Sequence, residues 1–195
     1  MSSTAPSASL HRDATAVLRA WRAPDAGQDA LRRGYLDHLV AHPDGLDRRC
    51  RPAHVTASAL VVDPADRRVL LTLHPKVGRW LQTGGHCEPG DRSLAAAALR
   101  EAVEETGVEG LRPLPGPVAL DRHDVRCGPA PGRGDAAGTH LDVQYVVLAP
   151  PGAAHHRSAE SLDLAWWPAD ALPADADAAL RRLVGRALPL VAASG

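Results

Sequence analysis

The sequence predicts an α/β fold, and three observations lead to this prediction. Residues 55–73 have the composition of two strands around a turn, with small and β-branched side chains on either side of it. Residues 94–106 are rich in alanine and contain neither glycine nor proline, which favours a helix. Residues 175–188 carry apolar side chains at helical spacing. Strands and helices that alternate in this way indicate a sheet covered by helices.

The N-terminal part of the chain differs from the rest. Residues 1–9 are small and polar, and we expect them to be disordered. Two helices are predicted next, around residues 12–22 and 28–41. We therefore divide the chain into a disordered tail, a helical extension at residues 10–46 and a main domain at residues 47–195. The extension serves either as a packing element or as a dimer contact.

The remaining elements follow from turn signals and apolar runs. Short strands are predicted at residues 80–83, 117–125, 141–148 and 162–167. The Gly/Pro-rich segment 127–139 between two of them is a candidate for a mobile lid. The closing helix is expected to end at Pro189. Trp166 and Trp167 are adjacent on one strand, so one should point into the core and the other outward.

The predicted helix at residues 94–106 carries an acidic cluster. Ser93 or Asp91 can cap its first turn, and Gly107 stands where a left-handed residue would end it. Glu101, Glu104 and Glu105 share one arc of the helix. The positions expected to pack inward, roughly opposite, are Ala95, Leu99, Ala102, Val103 and Thr106.

Three carboxylates at this spacing repel one another unless solvent, an arginine or a cation compensates them. A solvated helix face, with Arg100 and Glu104 as a weak ion pair, is one interpretation. The other is a binding site for Mg2+ or Mn2+, since clustered oxygen ligands suit these hard cations.

The segment from Gly85 to Val108 resembles the Nudix box, G-x5-E-x7-R-E-U-x-E-E-x-G-U, in which U is apolar. The second half, R-E-A-V-E-E-T-G-V, agrees with the box at every fixed position. The first half departs from it, because Asp91 replaces glutamate and eight residues rather than seven separate it from Arg100. We place the extra residue in the loop between Gly90 and Ser93, and Asp91 becomes the candidate partner of Arg100.

This resemblance implies a Nudix α/β/α sandwich with a mixed sheet over about residues 52–191. It also implies a Mg2+-dependent pyrophosphohydrolase that cleaves the phosphoanhydride of a nucleoside diphosphate linked to another moiety, by attack of an activated water. Glu101, Glu104 and Glu105 would bind the metal, with the Gly84 carbonyl as a further ligand, and Arg100 would orient the acids. Mn2+ is an alternative to Mg2+.

The general base stays open between Glu101, which we favour, and Asp142, His140 or Glu160. The candidates for contact with the substrate are His86, Arg79, Trp80, Asp142 and Tyr145, with Lys76 as a weaker one.

A narrower resemblance is to a group of bacterial Nudix proteins with a helical N-terminal segment. It rests on three stretches of the sequence. They are H-V-T-A-S from His54, G-R-W-L-Q-T-G-G-H ending at His86, and H-L-D-V-Q-Y from His140.

Composition narrows the remaining possibilities. The 195 residues carry a formal net charge of −1, which argues against stable binding to nucleic acid or to a membrane surface. The chain has three cysteines without C-x-x-C spacing, which we interpret as reduced thiols in a cytoplasmic protein. The expected partner is a small phosphoanhydride substrate, and the resemblance leaves a homodimer open. The alternative function is a Nudix-like ligand-binding or regulatory module without hydrolytic activity.

Overall fold

A computed structural model describes residues 8–127, 136–158 and 161–194. Its four helices are α1 (Ala8–Ala20), α2 (Ala26–Ala41), α3 (Leu94–Thr106) and α4 (Ala178–Ala192). Its strands are β1 (Ala53–Asp63), β2 (Arg68–His74), β3 (Arg79–Leu81), β4 (Thr83–His86), β5 (Arg112–Pro113), β6 (Ala119–Cys127), β7 (Ala136–Leu148) and β8 (Asp163–Pro168). None of the helices in these ranges is both long and apolar enough to cross a membrane.

The eight strands form one mixed sheet, and with the four helices they make the predicted α/β/α fold. The strand order is β3-β2-β1-β7-β5, while β4 pairs with β1, β6 with β7 and β8 with β2. The predicted hairpin is confirmed, because β1 and β2 are antiparallel with Val61 opposite Leu70. Every residue of β1 is buried, as expected of a central strand.

The chain divides into two compact units. One comprises residues 1–57, 85–97 and 119–143, and includes α1, α2 and β6. The other comprises residues 58–84, 98–118 and 144–195, and includes the β1–β2 turn, β8 and α4. The predicted boundary at residues 46 and 47 is not a division between these units, since α1 and α2 share a unit with β6.

Several predicted boundaries need correction. The single strand expected at residues 80–83 is two strands, with Gln82 between them, and the glycine pair that follows it lies inside β4. The strand expected to begin at Leu141 begins at Ala136, so the end of the candidate lid segment is part of β7. Residues 128–135 of that segment lie outside the described residues. Of the tail predicted to be disordered, Ala8 and Ser9 already belong to α1, and residues 1–7 are not described.

The closing helix α4 packs as predicted, with Leu180, Leu183, Val184 and Ala187 buried. The prediction that Pro189 ends it is wrong, because the helix continues to Ala192. Pro189 removes only its own N–H from the ladder. Its carbonyl still accepts a bond from the backbone N–H of Ala193 at 3.1 Å, and Val191 is buried in the last turn.

The N-terminal extension is held to β6 by two side chains of α2. The carboxamide of Gln28, 6% exposed, accepts from the backbone N–H of Leu120 at 2.7 Å and donates to its carbonyl at 3.0 Å. The hydroxyl of Tyr35, 1% exposed, donates to the carbonyl of Asp121 at 2.6 Å. Gln28 therefore bonds the strand backbone as a neighbouring strand would, which identifies the extension as a packing element.

We expect Gln28→Ala to lower the free energy of unfolding by about 2–4 kcal/mol, because it leaves the buried N–H and carbonyl of Leu120 without this partner. Alanine is the better helix former, so a loss would not reflect the propensity of α2. Urea denaturation measures the effect. Asp37→Ala, at an exposed position of the same helix, is the control and should cost about 0.5 kcal/mol or less. Equal losses in the two variants would contradict the docking role of Gln28.

Tyr35 predicts a stability that falls at alkaline pH. Burial, followed by the charges of Asp142 and Asp121, raises the pKa of Tyr35 above its ordinary value of 10.0. Above that value the unfolded chain releases the phenolic proton while the folded chain keeps it. Stability therefore falls as pH rises, by up to about 1.4 kcal/mol per pH unit for this one group.

The measurement is urea unfolding between about pH 9 and 11, around the tyrosine pKa, for the wild type and Tyr35→Phe. The phenylalanine variant should lose about 1–2 kcal/mol near neutral pH and show a shallower alkaline slope. An unchanged slope would show that Tyr35 ionises equally in both states.

Candidate active site

Helix α3, which carries the acidic cluster, has a well-defined start and end. The Ser93 hydroxyl accepts from the backbone N–H of Ala96 at 3.1 Å, and the carboxylate of Asp13 in α1 accepts from that of Leu94 at 2.8 Å. Amide groups that a helix cannot satisfy internally are thus bonded, one of them by the extension. The helix ends at Gly107 with φ of 63°, where a side chain would also press on His156.

The orientation of α3 differs from the prediction. Its buried residues are Leu94, Ala97, Ala98, Ala102 and Thr106. Of the positions expected inward, Ala102 and Thr106 are confirmed. Val103 is instead 40% exposed, and Ala95 and Leu99 are half-buried.

Two of the acids, Glu101 and Glu105, therefore fall within the buried arc, and Glu104 lies at its edge. At 100° per residue, Glu101 and Glu105 lie within about 60° of Ala98, and both are half-buried. Glu104 is exposed. The neighbouring buried residues Ala97, Ala98 and Ala102 have small side chains. The carboxylates of Glu101 and Glu105 are partly shielded from solvent.

Arg100 joins two of the three acids. One guanidinium nitrogen lies 2.9 Å from a carboxylate oxygen of Glu101 and 3.0 Å from one of Glu104. The side chains of Arg100 and Glu101 are 20% and 14% exposed, whereas that of Glu104 is 58% exposed. Charge-assisted bonds of this length hold the two carboxylates at a fixed separation. The pairing of Arg100 with Asp91 stays a prediction, and the Asp91 carboxylate accepts from the backbone N–H of Glu88 at 2.7 Å.

Glu105, the third acid, is held by the strand that contains the glycine pair. Its carboxylate accepts from the backbone N–H of Gly84 in β4 at 3.0 Å. Glu105 and Gly84, both predicted metal ligands, are thus adjacent in the structure. The hydrogen bond fixes one oxygen of Glu105 beside the backbone of β4.

The donor chemistry of this face fits a hard divalent cation. Three carboxylates, with one guanidinium among them, supply oxygen ligands and an excess of negative charge. The three acids are not, however, clustered closely enough to share an ion as they stand. Among the described residues, two clusters place three potential ligand atoms within 4.8 Å of one another, and neither cluster includes these acids. Arg100 separates Glu101 from Glu104, while Glu105 turns to Gly84, so a shared ion requires side-chain rotation.

The structure separates the predicted substrate-contact residues into two sets. Arg79 is exposed, Trp80 is half-buried with its ring 5.4 Å from that of Trp167, and His86 is half-buried. Tyr145 and Asp142 are 1% and 4% exposed, and their contact with a substrate stays a prediction. Both lie in a stretch of β7 in which residues 141–148 are all buried.

Asp142 has a structural partner, since its carboxylate accepts from the Thr56 hydroxyl at 3.0 Å. This bond also argues against Asp142 as the general base. Glu160, another candidate base, lies outside the described residues. Trp166 and Trp167 are both half-buried, so the expectation of one core and one outward side chain is wrong.

The three histidines of the strand motifs lie together. His54 in β1, His86 in β4 and His140 in β7 have ring centroids 4.9–5.1 Å apart, and His123 in β6 has its ring centroid 5.4 Å from that of His140. Burial lowers the pKa of His54. Burial, together with the neighbouring histidines and Arg51, lowers the pKa of His140 to about 3.

Sequence reasoning missed this group as a group, and treated His86 and His140 singly. A signal was present, because each of the three strand motifs contains one histidine. Periodicity within a strand does not show which strands are neighbours, so the pattern could not bring the three together. Cys50 and Cys87 are buried thiols, and burial raises the pKa of Cys50 to about 11. The side chain of Cys127 lies outside the described residues.

Comparisons with known proteins place the acidic helix in a family context. The family model of the NUDIX domain matches residues 52–187, which include β1, β4 and all of α3. The match begins after the N-terminal extension.

Solved structures with a similar fold include a hydrolase of the NUDIX family from Clostridium perfringens. It is 23% identical, with a TM-score of 0.52 over 71% of this chain and 97% of that one. Another is the MutT protein from Methanosarcina mazei Go1, 18% identical, with a TM-score of 0.50 over 69% of this chain and 92% of that one. At these identities the likeness supports the fold.

Proposed function

The chain belongs to the Nudix family of hydrolases that act on pyrophosphate bonds, and from that premise we propose a Mg2+-dependent hydrolase of nucleoside diphosphate derivatives. The observation that carries the proposal is the arrangement on α3. Arg100 bridges Glu101 and Glu104, while Glu105 is bonded to the Gly84 backbone. The Arg100–Glu104 pair alone would also suit a solvated helix face, whereas the bond of half-buried Glu105 to the β4 backbone supports a ligand role.

In this proposal Glu101, Glu104 and Glu105 hold the cation, and the Gly84 carbonyl is a further ligand. Mg2+, with Mn2+ as an alternative, supplies positive charge to the phosphate oxygens and activates water when bound. The negative face alone would repel a phosphoanhydride, so substrate binding depends on the cation.

Arg100 is proposed as a positioning residue. Its guanidinium donates to the carboxylates of Glu101 and Glu104, both proposed metal ligands, and so orients them. Glu101, half-buried and bonded to Arg100, is the proposed general base. Arg79 and Trp80 are proposed to contact the substrate. The Arg79 guanidinium would bind a phosphate group, and the Trp80 ring would stack against an aromatic part of the substrate.

We expect Glu104→Gln to lower turnover at least about 100-fold, more than the loss of an outer-shell partner usually costs. Glutamine keeps the size of the side chain and removes the charge that the cation needs. Glu109→Gln, the same chemical change at an exposed position just beyond the helix, is the matched control and should be near wild type. Circular dichroism should show both variants folded.

The assay is phosphate or nucleotide release from modified nucleoside triphosphates, ADP-ribose-like sugars and dinucleotide polyphosphates, with Mg2+ or Mn2+. Chelation should abolish turnover and added Mg2+ should restore it. Near-normal turnover in Glu104→Gln would contradict the ligand assignment. Silence of the wild type across the panel, with ligands still raising the melting temperature, would favour the binding-module alternative.

Arg100→Gln tests the positioning role. We expect turnover to fall by about 10–100-fold, less than in Glu104→Gln, as is typical of outer-shell partners. The Mg2+ concentration for half-maximal activity should rise, because the freed carboxylates must be ordered by the cation itself. Arg100→Lys should recover part of the loss, since it keeps the charge without the planar fork.

Arg92→Gln, at an exposed position just before the helix, is the control for Arg100→Gln. A lower melting temperature with an unchanged Mg2+ requirement would show that Arg100 acts only on stability.

A further inference from the structure

The group His54, His86 and His140 has the arrangement of a metal-binding site. One ring nitrogen from each residue lies within 4.8 Å of the others. Each residue comes from a different strand, and both β4 and β7 pair with β1. Sheet hydrogen bonds therefore fix the three backbones, so the imidazoles need little rearrangement to meet at one point.

His54 supplies the observation that points to a ligand. Its side chain is fully buried, and its Nδ1 lies 3.4 Å from the carbonyl oxygen of Cys50. A carbonyl can only accept, so Nδ1 carries the proton and Nε2 of the neutral ring carries the lone pair. Among the described residues, none forms a hydrogen bond with the buried Nε2 of His54.

An imidazole whose far nitrogen donates to a backbone carbonyl is oriented as metal-ligating histidines usually are. A buried acceptor that lacks a donor costs about 1–3 kcal/mol, so the position of His54 calls for a group that accepts its lone pair. A metal ion is such a group, and an ordered water is the simpler occupant.

We propose that His54, His86 and His140 bind a divalent transition-metal ion, with Zn2+ as the representative of the class. Imidazole ligands suit zinc, copper, iron and nickel, whereas Mg2+ prefers oxygen. Three protein ligands leave one position of a tetrahedral ion open. His86 and His140 are half-buried, so a water or a small anion can reach that position.

His123 is outside the ligand group. Its Nδ1 is 2.8 Å from the carboxylate of Asp121, and its side chain is 45% exposed. The residue stacks edge-on against His140 and flanks the site.

A second candidate set, His42, Asp44 and Cys50, competes for the same class of ion. This set is the weaker candidate for a metal site. Zinc binds the thiolate form of cysteine, and burial raises the pKa of the Cys50 thiol. Cys50→Ser therefore separates the two sets in an experiment.

The experiment titrates the full chain, stripped of metal with EDTA, with Zn2+ in the presence of excess Mg2+. We expect one Zn2+ per chain and a rise in melting temperature. His86→Asn and His140→Asn should each weaken Zn2+ binding by at least about 100-fold, beyond what outer-shell changes cost. Both variants alter half-buried residues, and circular dichroism without metal checks that they fold.

Three control variants should bind Zn2+ as the wild type does. Cys50→Ser tests the competing set, Glu104→Gln tests the acidic face of α3, and His156→Asn tests a histidine at an exposed position. Absence of Zn2+ binding in the wild type would overturn the proposal and favour water beside His54. So would unchanged binding in both histidine variants, or its loss in Cys50→Ser or Glu104→Gln. The readout is metal binding, so the result is independent of whether the nucleotide panel is hydrolysed.

Discussion

Carboxylates that share one helical arc repel one another, and the candidate active site depends on how this repulsion is managed. On α3 the compensation is built from the same helix and from β4. Arg100 bonds Glu101 and Glu104, and the Gly84 N–H bonds Glu105. The three acids are thus oriented by donors from α3 and β4.

Side chains of the helical extension form hydrogen bonds with backbone groups of α3 and β6. Asp13 bonds the first amide of α3, Gln28 bonds both polar groups of Leu120, and Tyr35 bonds the carbonyl of Asp121. Each of these contacts satisfies a main-chain group that would be costly to bury alone. The extension lies outside the NUDIX match, yet it belongs to one compact unit with β6.

Much of the fold could be predicted because local signals were strong. The bounds of α3 agree with the prediction to the residue, since the absence of Gly and Pro inside it, Ser93 before it and Gly107 after it all indicate one helix. The features that could not be predicted depend on tertiary contacts. The buried arc of α3 was one such feature, since it includes the positions of the charged residues Glu101 and Glu105. Pro189 stayed helical because Val191 is buried beyond it.

The acidic cluster of α3 could be predicted from the sequence alone, whereas the histidine group could not. The acids lie within five positions of one another, so helical geometry alone brings them together. The histidines lie 32 and 54 positions apart along the chain, at 54, 86 and 140, and only the pairing of β4 and β7 with β1 makes them neighbours. The two groups also offer different ligands, oxygen in one and nitrogen in the other. Oxygen ligands are preferred by Mg2+, whereas imidazole nitrogens suit zinc and related metals, so the two groups favour different cations.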